Sequence, residues 1–185
     1  DVRAGNFNPD WTGGIKNNFK YKDFSLSFLV DFRIGGEVIS YTQARQAGLG
    51  VSDITLAGRS GGIVVDGVVS NGNGTYSPNT TSITAEQYWT AIGQRTPIAE
   101  PFIYDATNIR LRELVFGYSL PKRLLGNSGF TNVDFSLVGR NLFFFVNKAK
   151  YFDPEAGAGT GNLQGIESFN IPSTRDYGVN VKFGF

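Results

Sequence analysis

The chain has 185 residues, 41% of them hydrophobic, and its 24 glycines and 16 phenylalanines disfavour a helical bundle. It contains no cysteine and no histidine, which excludes disulfide scaffolds, thiolate zinc sites and Ser-His-Asp catalysis. A net charge of +1 gives no electrostatic footprint for nucleic acid, and the sequence has no run of about 18 apolar residues that would predict a transmembrane helix.

The first part of the chain predicts two amphipathic strands, at 13–22 and 24–34. Apolar residues alternate with polar ones in both, and in the second run every even-numbered position is apolar. Successive side chains of a strand point to opposite faces, so each run predicts one apolar and one polar face. The dipeptide Lys22-Asp23 between them is short enough for a tight hairpin turn.

The segment 35–108 is predicted to be a long loop that contains one short helix. Thr84 is a suitable N-cap for a helix ending at Ile92, Gln87 completes a capping box, and Gly93 suits the exit. Aromatic side chains of this loop are weak candidates for stacking on a sugar ring of a substrate, although a small helix also needs such residues to hold it in place. The candidates are Tyr76, Tyr88 and Trp89.

Three more strands are predicted at 109–120, 132–145 and 174–185, with a second long loop at 147–173. The alternation of the third strand changes parity before Leu114, which a β-bulge or a change of environment would explain.

The second loop contains two carboxylates, in the run Asp153-Pro154-Glu155. Paired carboxylates serve acid–base catalysis in some enzymes. Because no partner residue is evident from the sequence, we interpret this run as a turn with solvated charges.

The connections alternate between short turns and long loops, which is typical of an outer-membrane β-barrel. The sequence therefore predicts an all-β fold: about five antiparallel transmembrane strands of a barrel, with apolar rows toward lipid and polar rows toward the interior. Five strands cannot close such a barrel, so we expect the remainder of the barrel to pair with the first and the last of them. A soluble β-sheet domain that binds carbohydrate or serves adhesion is the alternative, because sandwiches also alternate.

Several motifs in order resemble the last barrel section of SusC/RagA-type TonB-dependent outer-membrane transporters of Bacteroidota. The resemblance covers almost the whole chain outside the first long loop. The motifs are Asn8-Pro9-Asp10-Trp11-Thr12-Gly13-Gly14, Ile109-Arg110-Leu111-Arg112-Glu113, Val138-Gly139-Arg140-Asn141-Leu142, Asp153-Pro154-Glu155, Ile171-Pro172 and the closing Gly178-Val179-Asn180-Val181-Lys182-Phe183-Gly184-Phe185.

This resemblance implies a 22-stranded barrel in the outer membrane of a Gram-negative bacterium. The chain crosses this membrane many times, and a plug domain fills the barrel. It also implies a SusD-like lipoprotein partner, energy supplied through TonB, and glycans or peptides as substrates. We expect the plug and the TonB box to lie outside this sequence, and we expect no enzymatic activity, no cofactor and no metal. A TonB-dependent receptor for metal chelates or cobalamin is the alternative within the family.

The last predicted strand resembles the signal that the outer-membrane assembly machinery reads. An unpaired strand edge with alternating aromatic side chains offers backbone hydrogen bonds and side-chain anchors together. The simpler interpretation is that the row only completes the lipid-facing surface. The candidate signal residues are Tyr177, Val179, Val181, Phe183 and Phe185.

Overall fold

The structure is a computed structural model that describes residues 5–94, 97–126, 128–157, 159 and 161–185. The predicted starting point of the barrel segment, Asp1, lies outside these residues. Among the helices of the described residues, none has the length and apolarity needed to cross a bilayer.

The described residues form β-strands joined by short helices. The strands are β1 (Trp11–Tyr21), β2 (Phe24–Ile34), β3 (Glu37–Ser40), β4 (Ile63–Val64), β5 (Val68–Ser70), β6 (Tyr76–Pro78), β7 (Ser82–Ile83), β8 (Ile103–Asp105), β9 (Asn108–Ser119), β10 (Asn132–Asn147), β11 (Ile166–Glu167) and β12 (Asp176–Gly184). The α-helices are α1 (Tyr41–Gly48), α2 (Ala85–Ile92) and α3 (Lys122–Leu125), and 3₁₀ turns span Asp53–Leu56 and Glu100–Phe102.

The five long strands form one antiparallel sheet in the order β1-β2-β9-β10-β12. The predicted all-β fold class with five antiparallel strands is confirmed. The strand ends differ from the predicted ones by at most two residues. Strands β1 and β12 are the edges of this sheet, so each has one side on which no described strand pairs with it.

A β-bulge explains the change of parity in β9. The register with β2 runs from Leu29 opposite Glu113 directly to Val30 opposite Leu111, which leaves Arg112 as the extra residue. The bulge therefore restores Ile109 and Leu111 to the same face as the apolar residues that follow.

Strand β10 is irregular at the same level. Its register with β9 shifts between Arg140 and Phe143, and Asn141 adopts a left-handed backbone with φ of 51°. Asparagine tolerates this conformation better than most residues. A second shift follows between Phe144 and Val146.

The chain divides into two compact units. One comprises Gly5–Val38, Tyr104–Gly165 and Asn170–Phe185 and contains the five-stranded sheet. Within it, α3 occupies the connection between β9 and β10, which the sequence predicts only as a turn.

The other unit comprises most of the first long loop, Ile39–Ile103, with Ile166–Phe169. The predicted helix is confirmed as α2: Thr84 and Gln87 form the capping box, and Gly93 is the C-cap. Its neighbour α1 is a helix that the sequence analysis did not predict. The unit buries a small apolar core, to which Ala44, Ala47, Ala85, Ile92 and Phe102 belong.

Helices α1 and α2 approach each other at two glycines. A Cβ added to Gly48 would lie 2.5 Å from the carbonyl oxygen of Gly93, and one added to Gly93 would collide with the carbonyl of Ala44. Such distances are too short for real Cβ atoms, so glycine at both positions is what allows this approach.

Candidate functional site

The apolar face of the five-stranded sheet is uncovered. Phe24, Phe116 and Phe135 lie on neighbouring strands and keep 47%, 45% and 43% of their surface exposed. In a soluble sandwich these alternating residues would be buried against a second sheet. A contiguous apolar surface of this kind marks contact with lipid or with another apolar surface.

The polar face carries a buried arginine. The side chains of Arg110 and Asp153 expose only 3% and 5% of their surface, and Nη1 of Arg110 lies 3.5 Å from Oδ2 of Asp153 and 3.2 Å from Oε2 of Glu155. Nη2 of Arg110 donates to the hydroxyl of Ser173 at 2.5 Å, and that hydroxyl also donates to Asp153. The guanidinium stacks over the ring of Phe144, 4.4 Å from its centroid.

The bulge residue Arg112 extends the same network. Its Nε donates to Asp31 at 2.6 Å, Nη1 donates to the side-chain oxygen of Asn141 at 3.0 Å, and Nη2 donates to both carboxylate oxygens of Glu155, at 2.7 and 3.0 Å. The two arginines therefore hold the second long loop, through Asp153 and Glu155, against the polar face of β2, β9 and β10.

The environment of Asp153 stabilises its charged form. Burial raises the pKa of this carboxyl, but hydrogen bonds from the Ser173 hydroxyl and from the backbone N–H groups of Glu155 and Ser173, together with the charge of Arg110, outweigh it and hold the pKa below its ordinary value. The interpretation of Asp153-Pro154-Glu155 as a turn with solvated charges is correct for the turn and for the exposed Glu155, and wrong for Asp153. Asp153 is buried and paired, in an arrangement that resists protonation.

Comparison with known proteins adds independent observations. No protein-family model matches the chain. The TonB-dependent receptor P3 of Formosa agariphila is 30% identical over 183 residues, covering 95% of this chain and 16% of the receptor, and the receptor P39 of the same organism is 28% identical over 185 residues, covering 97% and 17%. The chain thus spans about a sixth of the length of these relatives.

Solved structures show the same fold. The RagAB peptide importer in its closed-closed state superimposes with a TM-score of 0.66 at 23% identity, covering 97% of this chain and 18% of that one. The open-open state gives a TM-score of 0.65 at 22% identity, covering 97% and 17%. The family resemblance to TonB-dependent receptors of the SusC/RagA type is confirmed. These relatives support placement of the receptor segment in an outer membrane.

Three of the motifs that carry the resemblance supply residues to the arginine network of the receptor segment, and a fourth motif adjoins it. Asp153-Pro154-Glu155 supplies the two carboxylates, and Ser173 directly follows Ile171-Pro172. Arg110 and Arg112 belong to the strand motif, and Asn141 belongs to the motif of β10. The sequence analysis did not select Arg110, Arg112, Asn141 or Ser173 as functional. The available signal was a pair of arginines that alternate with Ile109 and Leu111 in one predicted strand.

The three aromatic candidates for substrate contact do not form one site in the receptor segment. Tyr88 and Trp89 touch edge to face, with ring centroids 5.0 Å apart. Trp89 lines a cleft of about 520 Å³ together with Arg59 and Glu86. Tyr76 lies on β6, is exposed, and is not among the residues that line this cleft. Contact of any of them with substrate stays a prediction.

The candidate assembly residues lie along the free edge of the sheet. Tyr177, Val179, Val181 and Phe183 alternate along β12, and all are exposed. The rings of Phe183 and Phe185 pack on Phe130, with centroids 5.5 and 5.2 Å apart. Their role as a signal stays a prediction.

Proposed function

We propose that this chain is part of an outer-membrane importer of the SusC type. The importer takes up glycans or peptides together with a SusD-like lipoprotein and is energised through TonB. The chain crosses the membrane several times and contributes wall strands, not catalytic groups. The observation that carries this proposal is the two-faced sheet, apolar and uncovered on one side and charged on the other.

Strand length supports the membrane-spanning part of the proposal. Strands β1, β2, β9, β10 and β12 have 11, 11, 12, 16 and 9 residues. A tilted strand needs about 9–11 residues to cross a bilayer. The uncovered phenylalanines argue against the soluble carbohydrate-binding or adhesion domain, which would need a second layer over them.

The arginine network suits the wall of such an importer. In the proposed protein the polar face looks into the interior, which the remainder of the barrel encloses and the plug occupies. The loop that follows β10 is fastened to this wall by Arg110 and Arg112 and therefore keeps a fixed shape while substrate enters between barrel and lipoprotein.

The decisive experiment is purification of the full receptor from native outer membranes through an affinity tag, with identification of the proteins that remain bound. We expect a SusD-like lipoprotein in stoichiometric amount, and we expect uptake of labelled oligosaccharides or oligopeptides that stops when TonB is deleted. Recovery of the receptor alone, with growth dependent on cobalamin or a metal chelate, would instead support the alternative within the family.

We further propose that the row from Tyr177 to Phe185 is read during assembly. β12 is a sheet edge, and its exposed aromatic side chains offer the anchors that strand addition uses. Replacing Tyr177 and Phe183 by alanine should slow assembly into the membrane, followed as the heat-modifiable folded form on gels. Alanine at the exposed loop residue Phe169 is the control, and equal assembly of both proteins would contradict the proposal.

A further inference from the structure

A second feature of the sheet unit is a cavity of about 360 Å³ at the end of the sheet that carries the long loops. Its walls come from the ends of β9 and β10 and from the loop after β10. The cavity holds three cationic residues and one carboxylate, namely Arg110, Lys150, Arg175 and Asp153.

Two of these cations are not neutralised. Arg110 is committed to Asp153 and Glu155. Neither Lys150 nor Arg175 has a carboxylate partner within the part of the chain that the structure describes. Among the described residues, the polar contacts of Lys150 are to Tyr151, with its Nζ 5.0 Å from the ring centroid and 3.5 Å from the hydroxyl.

The two side-chain amides that line the cavity already donate hydrogen bonds to backbone carbonyls. Nδ2 of Asn141 donates to the carbonyl of Thr174 at 3.1 Å, and Nδ2 of Asn147 donates to the carbonyl of Phe152 at 3.2 Å. The cationic side chains of the cavity that no carboxylate engages among the described residues are therefore Lys150 and Arg175, and Nε of Arg110 is a further buried donor that has no hydrogen-bond partner there. Because the cavity has an excess of positive charge, its chemistry favours an anion.

The cavity also borders the apolar face of the sheet. Phe143 lines it, is exposed, and pairs with Leu111 on the apolar side of β9. Basic residues placed where an apolar surface ends attract the anionic headgroups of lipids. Arginine binds phosphate through two parallel hydrogen bonds, and lysine adds a compact point charge.

We propose that this cavity binds a phosphate-type oxyanion through Lys150 and Arg175, and that its occupant in the membrane is the headgroup of an anionic lipid. The proposal needs only that the apolar face meets lipid. It does not depend on which substrate the importer carries or on its lipoprotein partner.

The test uses the full receptor in detergent and native mass spectrometry. The receptor is incubated with phosphatidylglycerol, with phosphatidylcholine, or with inorganic phosphate at equal concentrations. A double variant, Lys150→Gln with Arg175→Gln, removes both charges. The matched control, Lys122→Gln with Arg123→Gln, removes one lysine and one arginine of α3, in the connection at the opposite end of β9 and β10.

We expect wild type and control to retain phosphatidylglycerol in excess over phosphatidylcholine. The double variant should bind phosphatidylglycerol about 30-fold more weakly, because each cation near a membrane surface contributes about fivefold. Heat-modifiable migration on gels checks that each variant is folded, and Lys150→Arg, which keeps the charge, should retain the lipid.

The phosphate arm distinguishes the two sources of the anion. Binding of inorganic phosphate that the double variant loses, without a preference for phosphatidylglycerol, would overturn the lipid assignment and show a site for a soluble anion. Equal retention of every probe by the folded double variant and by wild type would overturn the site itself.

Discussion

The sheet and the first long loop treat their apolar side chains in opposite ways. The loop unit hides Ala47, Ile92 and Phe102, with at most 7% of each exposed, as a small domain in water does. The sheet leaves its phenylalanines outside and buries Arg110 instead. The loop unit is thus packed as a domain in water is, whereas the apolar face of the sheet suits a non-aqueous environment.

The exposed fraction of a side chain therefore does not by itself show whether that side chain faces water or lipid. Val51 in the loop unit and Val179 in β12 expose 73% and 71% of their surface, which is almost the same. Only their surroundings differ: Val179 belongs to an alternating row on a strand long enough to cross a bilayer, whereas Val51 follows a helix end. If the two valines meet different solvents, a charged substitution has a different cost at each, and if the buried polar face supports the sheet, removing Arg110 has a larger cost than either.

The largest effect is expected for Arg110→Ala. Removing the guanidinium leaves Asp153 buried without its counter-charge, which typically costs about 3–5 kcal/mol. We expect the loop after β10 to detach from the sheet, seen as faster amide hydrogen exchange in residues 148–157 and 161–175 of the full receptor. The control is Arg140→Ala, because Arg140 is 62% exposed and pairs with Glu113 at the surface, where such a pair contributes about 0–1 kcal/mol. Equal exchange in both variants would refute a structural role for Arg110.

The next prediction compares the loss of stability when arginine replaces each of the two valines. Val179→Arg should destabilise the assembled barrel by about 2–4 kcal/mol, because this position lies near the middle of a lipid-facing strand. Val51→Arg should change stability by about 0.5 kcal/mol at most, as is usual for exposed positions in water. The measurement is the denaturant midpoint of the folded form in lipid vesicles. Similar midpoints for the two variants would show that the apolar face does not meet hydrocarbon.

A smaller effect is expected inside the loop unit. Gly48→Ala places a methyl group against the backbone of Gly93 and should cost about 1–3 kcal/mol as helices α1 and α2 are forced apart. Limited proteolysis of this loop in the intact receptor reports the change. Gly157→Ala is the control, since among the described residues nothing lies within 4 Å of a Cβ at that position. If both variants resist the protease as wild type does, the close approach of the two helices is not needed.

The regular parts of this fold were predictable because they depend on neighbouring residues. Alternation identified the five long strands, the change of parity before Leu114 marked the region of the bulge without deciding between a bulge and a change of environment, and the Thr84–Gln87 capping box located α2. Helix α1 was not predicted because its residues are largely polar and its buried face consists of Gln43, Ala44 and Ala47. Such a face gives little hydrophobic periodicity.

The arginine network was not predictable in the same way. Arg110 and Asp153 are 43 residues apart in sequence, and only the packing of the loop after β10 brings them together. The short run Asp153-Pro154-Glu155 also has the composition of an exposed turn. Composition described the local backbone correctly and the environment of the carboxylate wrongly, since burial depends on distant partners.

The last prediction concerns the effect of acid on the contacts of the Asp153 carboxylate. Because the pKa of Asp153 is lowered in the folded protein, its contribution to stability is complete above the ordinary carboxyl value of 3.8 and is lost as the pH falls through the lowered value. The protection of amides in the loop after β10, which is their exchange rate relative to the intrinsic rate at each pH, should therefore be constant near neutral pH and be lost only in strong acid. Asp153→Asn cannot be protonated in this way, so its loop should exchange faster at neutral pH and gain little more in acid. Glu155 contacts both arginines and is the second carboxylate of the network, which makes Glu155→Gln the comparison that isolates Asp153. An acid response that Asp153→Asn retains and Glu155→Gln abolishes would move the pH-sensitive contact from the buried carboxylate to the exposed one.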